Sequence, residues 1–320
     1  MRRTAVALTA IIAASIGLAG CSANTSAAPV ATSSDGVATV RVAQNNTASS
    51  LLIDVALEQG FFDDHDLNVE STTLADITVI PSLLGNQYDV GFSVAPMILN
   101  AASAGVDVVA ISGNDVESDA PSFELFGRDG ITEPSQLAGM KIGTPTLTGN
   151  INLLTKAWLD SKGVDPASVQ FIQVATPNMV DQMKAGQIDA AELQNPFISQ
   201  AAAAGMTSLG ALDRALDDEY AAQSFWIANG AWAAANPDVA ERFRAALDDA
   251  ATWISDNEDA AYQTVADATD ISVDVAQQSP LGAYGTAIAP GTFATWLDAM
   301  KTYNGFAGTV DVDKLTAAGE

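Results

Sequence analysis

The sequence predicts an α/β protein of two similar lobes that enclose a ligand cleft. The chain has 320 residues, which exceeds the length of about 150 residues typical of one domain and favours two. β-Branched runs alternate with helix-length segments, a pattern that indicates parallel sheets built from βαβ units. Residues 85–96 (GNQYDVGFSVAP) and 186–196 (GQIDAAELQNP) also share the order of glycine, aspartate, short strand and proline.

This internal similarity predicts two lobes of the same local topology. The alternative is a chance recurrence, since a helix–turn–strand unit is common in α/β proteins. Ligands of open parallel sheets bind outside the carboxyl ends of the strands, so two such sheets facing each other form a cleft. We place lobe one at residues 37–121 plus 227–320 and lobe two at residues 122–226.

The individual elements follow from β-branched runs, caps and glycine stops. Strands are predicted at residues 37–43, 67–72, 90–94, 106–111, 141–143 and 171–174. Helices are predicted from 47–50 to about 60, at 77–84, at 150–162, and from starts at 176 and 237. Residues 237–320 are expected to be mainly helical.

The first residues predict an export signal. Residues 1–20 combine Arg2 and Arg3 with an apolar stretch too short to span a bilayer, and they end before the only cysteine, Cys21. The string LAGC at residues 18–21 resembles a lipobox, in which the cysteine is acylated and the peptide is cut before it. An ordinary secretory signal is the alternative. Residues 21–36 are small and polar, which is typical of a flexible tether.

Composition excludes several classes of function. The chain has 13 basic and 39 acidic residues, a net charge of −26, so a general nucleic-acid binder is excluded. One cysteine and one histidine exclude a disulfide framework and most metal sites, and no cofactor is expected.

Four segments carry a resemblance to a known family. They are 56–62 (ALEQGFF) with 67–69 (LNV), 84–96 (LGNQYDVGFSVAP), 131–143 (ITEPSQLAGMKIG) and 185–197 (AGQIDAAELQNPF). Together they resemble the substrate-binding lipoproteins of ABC importers, in the nitrate/sulfonate/taurine and thiamine-pyrimidine-precursor (NMT1/THI5-like) group. The resemblance implies a two-lobed type II periplasmic-binding-protein fold that closes by a hinge.

This chain departs from the family pattern in places. Gln136 stands where the family usually has aspartate, and Met140 separates Gly139 from Lys141. The loops at 44–50 and 144–150 contain no arginine or lysine, which disfavours a sulfonate ligand.

From the predicted topology and the resemblance, we expect five loops, rich in amides and hydroxyls, to line the cleft. Turn formation, helix capping and solvent exposure are the alternatives for these side chains. Free N–H groups at the helix starts near Ser49 and Asn150 can hold an anion, whereas an inward-pointing Glu192 favours a cationic or hydrogen-donating ligand such as an aminopyrimidine. The candidate ligand-binding residues are Gln44, Asn45, Asn46, Ser93, Ser112, Asn114, Thr146, Thr148, Asn150, Glu192 and Asn195.

The sequence offers no recognisable set of catalytic residues for the cleft. Residues 91–95 (GFSVA) loosely resemble a nucleophile elbow around Ser93, but the only histidine, His65, precedes Ser93, the reverse of the hydrolase order. The hypothesis is therefore a monomeric extracytoplasmic solute-binding lipoprotein, not an enzyme. It captures a heteroaromatic, an aromatic carboxylate or another small anion and delivers it to an ABC permease and its ATPase. A ligand sensor of the same fold is the alternative, and a thiamine-pyrimidine-related enzyme is the remote one.

Overall fold

The computed structural model describes the body of the chain. The described residues are 30, 33, 35–45, 48–118, 121–195, 197–216, 222–269, 272–277 and 280–317. The predicted signal peptide at 1–20, the lipid attachment site Cys21, most of the tether at 21–36, and Asn46 of the first cleft loop lie outside the described residues.

The described residues form two five-stranded sheets with the same strand order. In chain order the strands are β1 (Ala38–Gln44), β2 (Leu67–Thr73), β3 (Val90–Val94), β4 (Val109–Gly113), β5 (Phe123–Gly127), β6 (Lys141–Thr144), β7 (Gln170–Gln173), β8 (Ala190–Gln194), β9 (Thr207–Ala211) and β10 (Ser224–Ala228). The first sheet has the order β2-β1-β3-β10-β4 and the second the order β7-β6-β8-β5-β9. The predicted two-lobed α/β fold is thereby confirmed, and the recurring segments prove to be β3 and β8, the central strands of the two sheets.

The prediction of parallel sheets is wrong for one strand in each sheet. β10 runs antiparallel to β3 and β4, and β5 runs antiparallel to β8 and β9. Each of these strands enters its sheet from the other lobe, at the edge where its neighbours end. It must therefore run in the opposite direction to them.

Helices cover the sheets. Two of them begin at the predicted residues 150 and 237. The predicted helix at 77–84 is instead a 3₁₀ turn at Ile77–Val79 followed by a short α-helix. In chain order the helices are α1 (Leu51–Glu58), α2 (Phe61–Asp64), α3 (Ile80–Leu83), α4 (Ala95–Ser103), α5 (Asn150–Ser161), α6 (Thr176–Lys184), α7 (Phe197–Ala203), α8 (Gly230–Ala235), α9 (Pro237–Asp256), α10 (Glu258–Thr269), α11 (Val273–Ala276) and α12 (Thr292–Asn304).

The chain crosses between the sheets twice, after β4 and after β9. The first crossover lies between Gly113 and Phe123, and the lobe boundary between residues 121 and 122 stays a prediction. The predicted boundary between residues 226 and 227 falls inside β10, and all five residues of that strand pair with β3 in the first sheet. The second crossover therefore precedes Ser224.

An aspartate fixes the start of the central strand in the same way in both lobes. Asp89 Oδ2 accepts hydrogen bonds from Arg41 N at 2.9 Å and Arg41 Nε at 3.0 Å. Asp189 Oδ2 accepts from Lys141 N at 2.9 Å, while its Oδ1 accepts from Arg128 Nε at 2.9 Å. Each carboxylate therefore joins the strand that it precedes to the neighbouring strand of its sheet.

The C-terminal helix α12 packs on both lobes, against α4 of the first and α5 of the second. Trp296, fully buried on α12, donates from Nε1 to the Ala222 carbonyl at 2.9 Å, beside the second crossover. Lys156 Nζ of α5 donates to Asn304 Oδ1 at 2.7 Å. A single apolar cluster around Trp296 consequently contains residues of both lobes.

We predict that Asp89→Ala destabilises the protein by about 2–3 kcal/mol, because charge-assisted hydrogen bonds are lost at a buried position. Urea unfolding measures the effect. Asp181→Ala is the matched control, since its 3.4 Å ion pair with Lys184 is exposed and should contribute little. Equal, small effects in both variants would contradict the assigned role of Asp89.

Candidate functional site

The carboxyl edges of the two sheets meet at a hydrogen bond between the lobes. Asn150 Nδ2, in the first turn of α5, donates to Gln223 Oε1 at 3.2 Å. Gln223 directly precedes β10, and its own N–H donates to Asp115 Oδ2 at 3.0 Å. The carboxyl edges of the two sheets are therefore in contact at these residues.

The wall of the cleft in the first lobe contains an amide held by a half-buried carboxylate. Gln44, the last residue of β1, is 6% exposed and donates from Nε2 to Asp54 Oδ1 at 3.0 Å. Ser50 Oγ donates to the other oxygen, Asp54 Oδ2, at 2.9 Å. Burial raises the pKa of Asp54, and these two hydrogen bonds oppose the rise. The Gln44 amide is fixed with its N–H₂ group on the carboxylate.

The wall in the second lobe repeats this arrangement with different residues. Asn152 of α5 is 1% exposed and donates from Nδ2 to Glu192 Oε1 at 3.2 Å. Glu192 lies on β8 and is fully buried. By strand register, β8 Ala190 and Ala191 correspond to β3 Val90 and Gly91, so Glu192 occupies the position that Phe92 holds in the first lobe.

Burial raises the pKa of Glu192 from 4.5 to about 7. The nearby hydroxyls of Thr144 and Thr155, the Asn152 amide and the Lys156 ammonium favour the charged form and oppose the rise. In the structure, however, the two hydroxyls donate to the carbonyls of Thr146 and Ile151, at 2.9 and 3.0 Å. Oε2 of Glu192 is left without a donor among the described residues.

Six buried polar atoms near these edges have no hydrogen-bond partner within the described part of the chain. Buried polar groups in folded proteins are normally paired, so a cluster of unpaired ones at a cleft indicates a ligand site. Three belong to the first lobe and three to the second, and five of the six are carbonyl or carboxylate oxygens. The atoms are Gln44 Oε1, Asn45 Oδ1, Ser93 Oγ, Asn152 Oδ1, Glu192 Oε2 and Asn195 Oδ1.

Other predicted residues are engaged elsewhere or exposed. Asn114 is 1% exposed and fully used: it donates to Ser49 O and Ser224 Oγ and accepts from Trp226 Nε1. The hydroxyl of Ser112 donates to the carbonyl of Gly113 at 2.7 Å. Thr146 and Thr148 lie exposed in the loop before α5. Asn114 thus joins β4 to β10 and has no unpaired polar atom of its own.

Asp54, Asn152 and Gln223 were not among the residues predicted from the sequence. Asp54 and Asn152 each interrupt an apolar stretch of helix, LLIDVALE in α1 and INLL in α5. A lone polar side chain on an apolar helix face is a signal that could have identified both residues. Gln223 carries no such signal, because its role depends on the second crossover.

The described residues include no group of three or more histidine, cysteine, aspartate or glutamate side chains arranged to hold a metal ion. His65 Nε2 lies 2.7 Å from Asp249 Oδ2, so its partner is on α9 and not on β3, where Ser93 lies. None of the helices in the described ranges combines the length and hydrophobicity that crossing a bilayer requires.

Two mixed sheets of identical strand order define a two-lobed α/β fold. The chain belongs to the NMT1-like family, whose model matches residues 33–268. A comparison with curated protein sequences gave no match.

Solved structures with the same fold include several binding proteins. The periplasmic aliphatic sulphonate binding protein SsuA of Escherichia coli has a TM-score of 0.74 and 15% identity, covering 88% of this chain and 94% of its own. The periplasmic nitrate-binding protein NrtA of Synechocystis has a TM-score of 0.66 and 13% identity, covering 88% and 86%. A ligand binding component of an ABC-type import system from Staphylococcus aureus has a TM-score of 0.69 and 13% identity, covering 87% and 96%. The predicted periplasmic-binding-protein fold is confirmed.

We predict that Glu192→Gln stabilises the protein at pH 8 but not at pH 4.5. The folded state holds the Glu192 proton more tightly than the unfolded chain, so stability falls as pH rises from about 4.5 to about 7. At about 1.4 kcal/mol per pKa unit, the gain above pH 7 is on the order of 3 kcal/mol. Urea unfolding at both pH values, with the exposed Glu241→Gln as control, measures it. The same change in stability at both pH values would contradict the assigned burial of Glu192.

Proposed function

We propose that this chain is the extracytoplasmic solute-binding subunit of an ABC importer, anchored to the membrane through lipid on Cys21. The observation that supports this most directly is the set of unpaired buried polar atoms divided between the two lobes. A solute that satisfies atoms on both walls binds the closed arrangement better than the open one. Because only such differential affinity shifts a conformational equilibrium, the solute itself would drive closure.

Family and fold agree with this proposal. The chain belongs to the NMT1-like family, and proteins of the same fold bind sulphonate or nitrate in the periplasm or serve as ligand binding components of ABC-type import. The closed protein would then dock on a permease, and its ATPase would power uptake. No chemical step is assigned to the site.

A capture experiment tests the binding role. The purified protein is incubated with a metabolite extract, washed and denatured, and the released small molecules are identified by mass spectrometry. We expect one solute to be enriched, and we expect Asn45→Ala and Asn150→Ala each to weaken its binding by roughly tenfold, since each loses a polar contact at the cleft. Calorimetry with the identified solute measures the affinities.

Asn68→Ala is the matched control, because Asn68 lies exposed on β2, away from the cleft. All three variants should remain folded. Unchanged affinity in both Asn45→Ala and Asn150→Ala would remove the cleft assignment, and enrichment of no solute would count against the binding role.

The membrane anchor has its own test. We expect the full chain to partition into the detergent phase when expressed in a bacterium with lipoprotein processing, and Cys21→Ser to move it to the aqueous phase. Two acyl chains hold a protein stably at a membrane where one is marginal. Aqueous partitioning of the unsubstituted chain would contradict lipidation at Cys21.

A further inference from the structure

We infer that the solute of this cleft presents several N–H donors, as an amine, an amidine or an amino-substituted heteroaromatic does, and that an ion made only of acceptors is disfavoured. This inference rests on the proposed function, because it concerns the ligand of the same site. It follows from three observations: the orientation of two side-chain amides, the carboxylates that bind them, and the carboxylates close to the first turns of two helices.

The amide directions are set by carboxylates. An ionised carboxylate only accepts hydrogen bonds, so an amide beside it must turn its N–H₂ group inward and its oxygen away. Gln44 Nε2 donates to Asp54 and Asn152 Nδ2 donates to Glu192. The unpaired atoms left on these two side chains are therefore oxygens, Gln44 Oε1 and Asn152 Oδ1, and both are acceptors.

Both helix starts at the cleft already carry a carboxylate of the protein. The N-terminus of a helix attracts an anion through its free N–H groups and its dipole. Asp54 lies in the first turn of α1, and Glu192 is hydrogen-bonded by Asn152 in the first turn of α5. An anionic solute would be repelled by the ionised forms of these carboxylates, so the helix starts do not favour it.

The basic group that faces Glu192 is already paired. Lys156 Nζ, on the same helix as Asn152, donates to Asn304 Oδ1 at 2.7 Å and lies 5.4 Å from the centre of the Phe171 ring. The cleft loops at 44–50 and 144–150 contain no lysine or arginine. A cationic or donor-rich solute therefore finds hydrogen-bond acceptors on both walls. The oxygens of nitrate or of a sulfonate would instead face other acceptor oxygens.

Two matched pairs of probes test the inference by calorimetry on the purified protein at pH 7.5. Guanidinium and nitrate are both planar and trigonal, but one only donates and the other only accepts. Benzamidine and benzoate differ in the same way on a larger frame. We expect the donor of each pair to bind at least tenfold more tightly than its acceptor. Glu192→Gln should weaken guanidinium and benzamidine at least tenfold, while Glu241→Gln leaves them unchanged.

The proton balance is a second readout, one that a merely structural Glu192 would not move. A donor or cation beside Glu192 favours its carboxylate and should release a fraction of a proton on binding near pH 7, whereas an acceptor should take one up. Titrations in two buffers of different ionisation enthalpy measure this exchange. Asn152→Ala and Gln44→Ala should weaken the donor probes at least fivefold, with Asn68→Ala and Gln263→Ala as controls.

Several results would overturn the inference. One is tighter binding of nitrate or benzoate than of the matched donor probe. Another is an affinity for the donor probes that is unchanged in Glu192→Gln and Asn152→Ala. A third is no binding of either donor probe at concentrations up to 50 mM. An acceptor-only solute captured from the extract would also overturn it, while leaving the proposed function in place. Capture of no solute would instead count against the proposed function.

Discussion

A carboxylate behind each wall of the cleft, half-buried in the first lobe and fully buried in the second, determines what that wall presents. Asp54 holds the amide of Gln44, and Glu192 holds the amide of Asn152. In the structure each amide donates its N–H₂ group to the carboxylate, as an ionised carboxylate requires, and the amide oxygen faces away. The two carboxylates thus fix the orientation of the two amides. Without them, either end of each amide could face the cleft.

The repeated topology explains why two such walls face each other. Both sheets place their central strand after an aspartate that binds the start of the neighbouring strand, and both receive one antiparallel strand from the opposite lobe. The crossovers leave from and return to the carboxyl edges, so these edges stay close together. The hydrogen bond between Asn150 and Gln223 marks where they meet.

Much of this fold could be predicted from the sequence, because β-branched runs and glycine stops are local signals. The spacing of Asp89–Pro96 and Asp189–Pro196 correctly indicated two lobes of one topology. The antiparallel strands β5 and β10 could not be predicted in this way, since their direction depends on where the chain re-enters a sheet. Unpaired atoms lie on five of the predicted site residues: Gln44, Asn45, Ser93, Glu192 and Asn195. The side chain of Asn114 instead forms hydrogen bonds within the core, and Asn152 was not predicted. Pairing of buried polar atoms is a three-dimensional property, which composition and spacing do not encode.

The correspondence between the lobes gives the molecule an internal reference. At one position of the shared framework the first lobe has Phe92, packed edge-on against Trp226, and the second has Glu192. One copy of the framework thus accommodates an aromatic ring where the other buries an acid. A comparison of the two halves of this chain can therefore separate what the architecture requires from what the ligand requires.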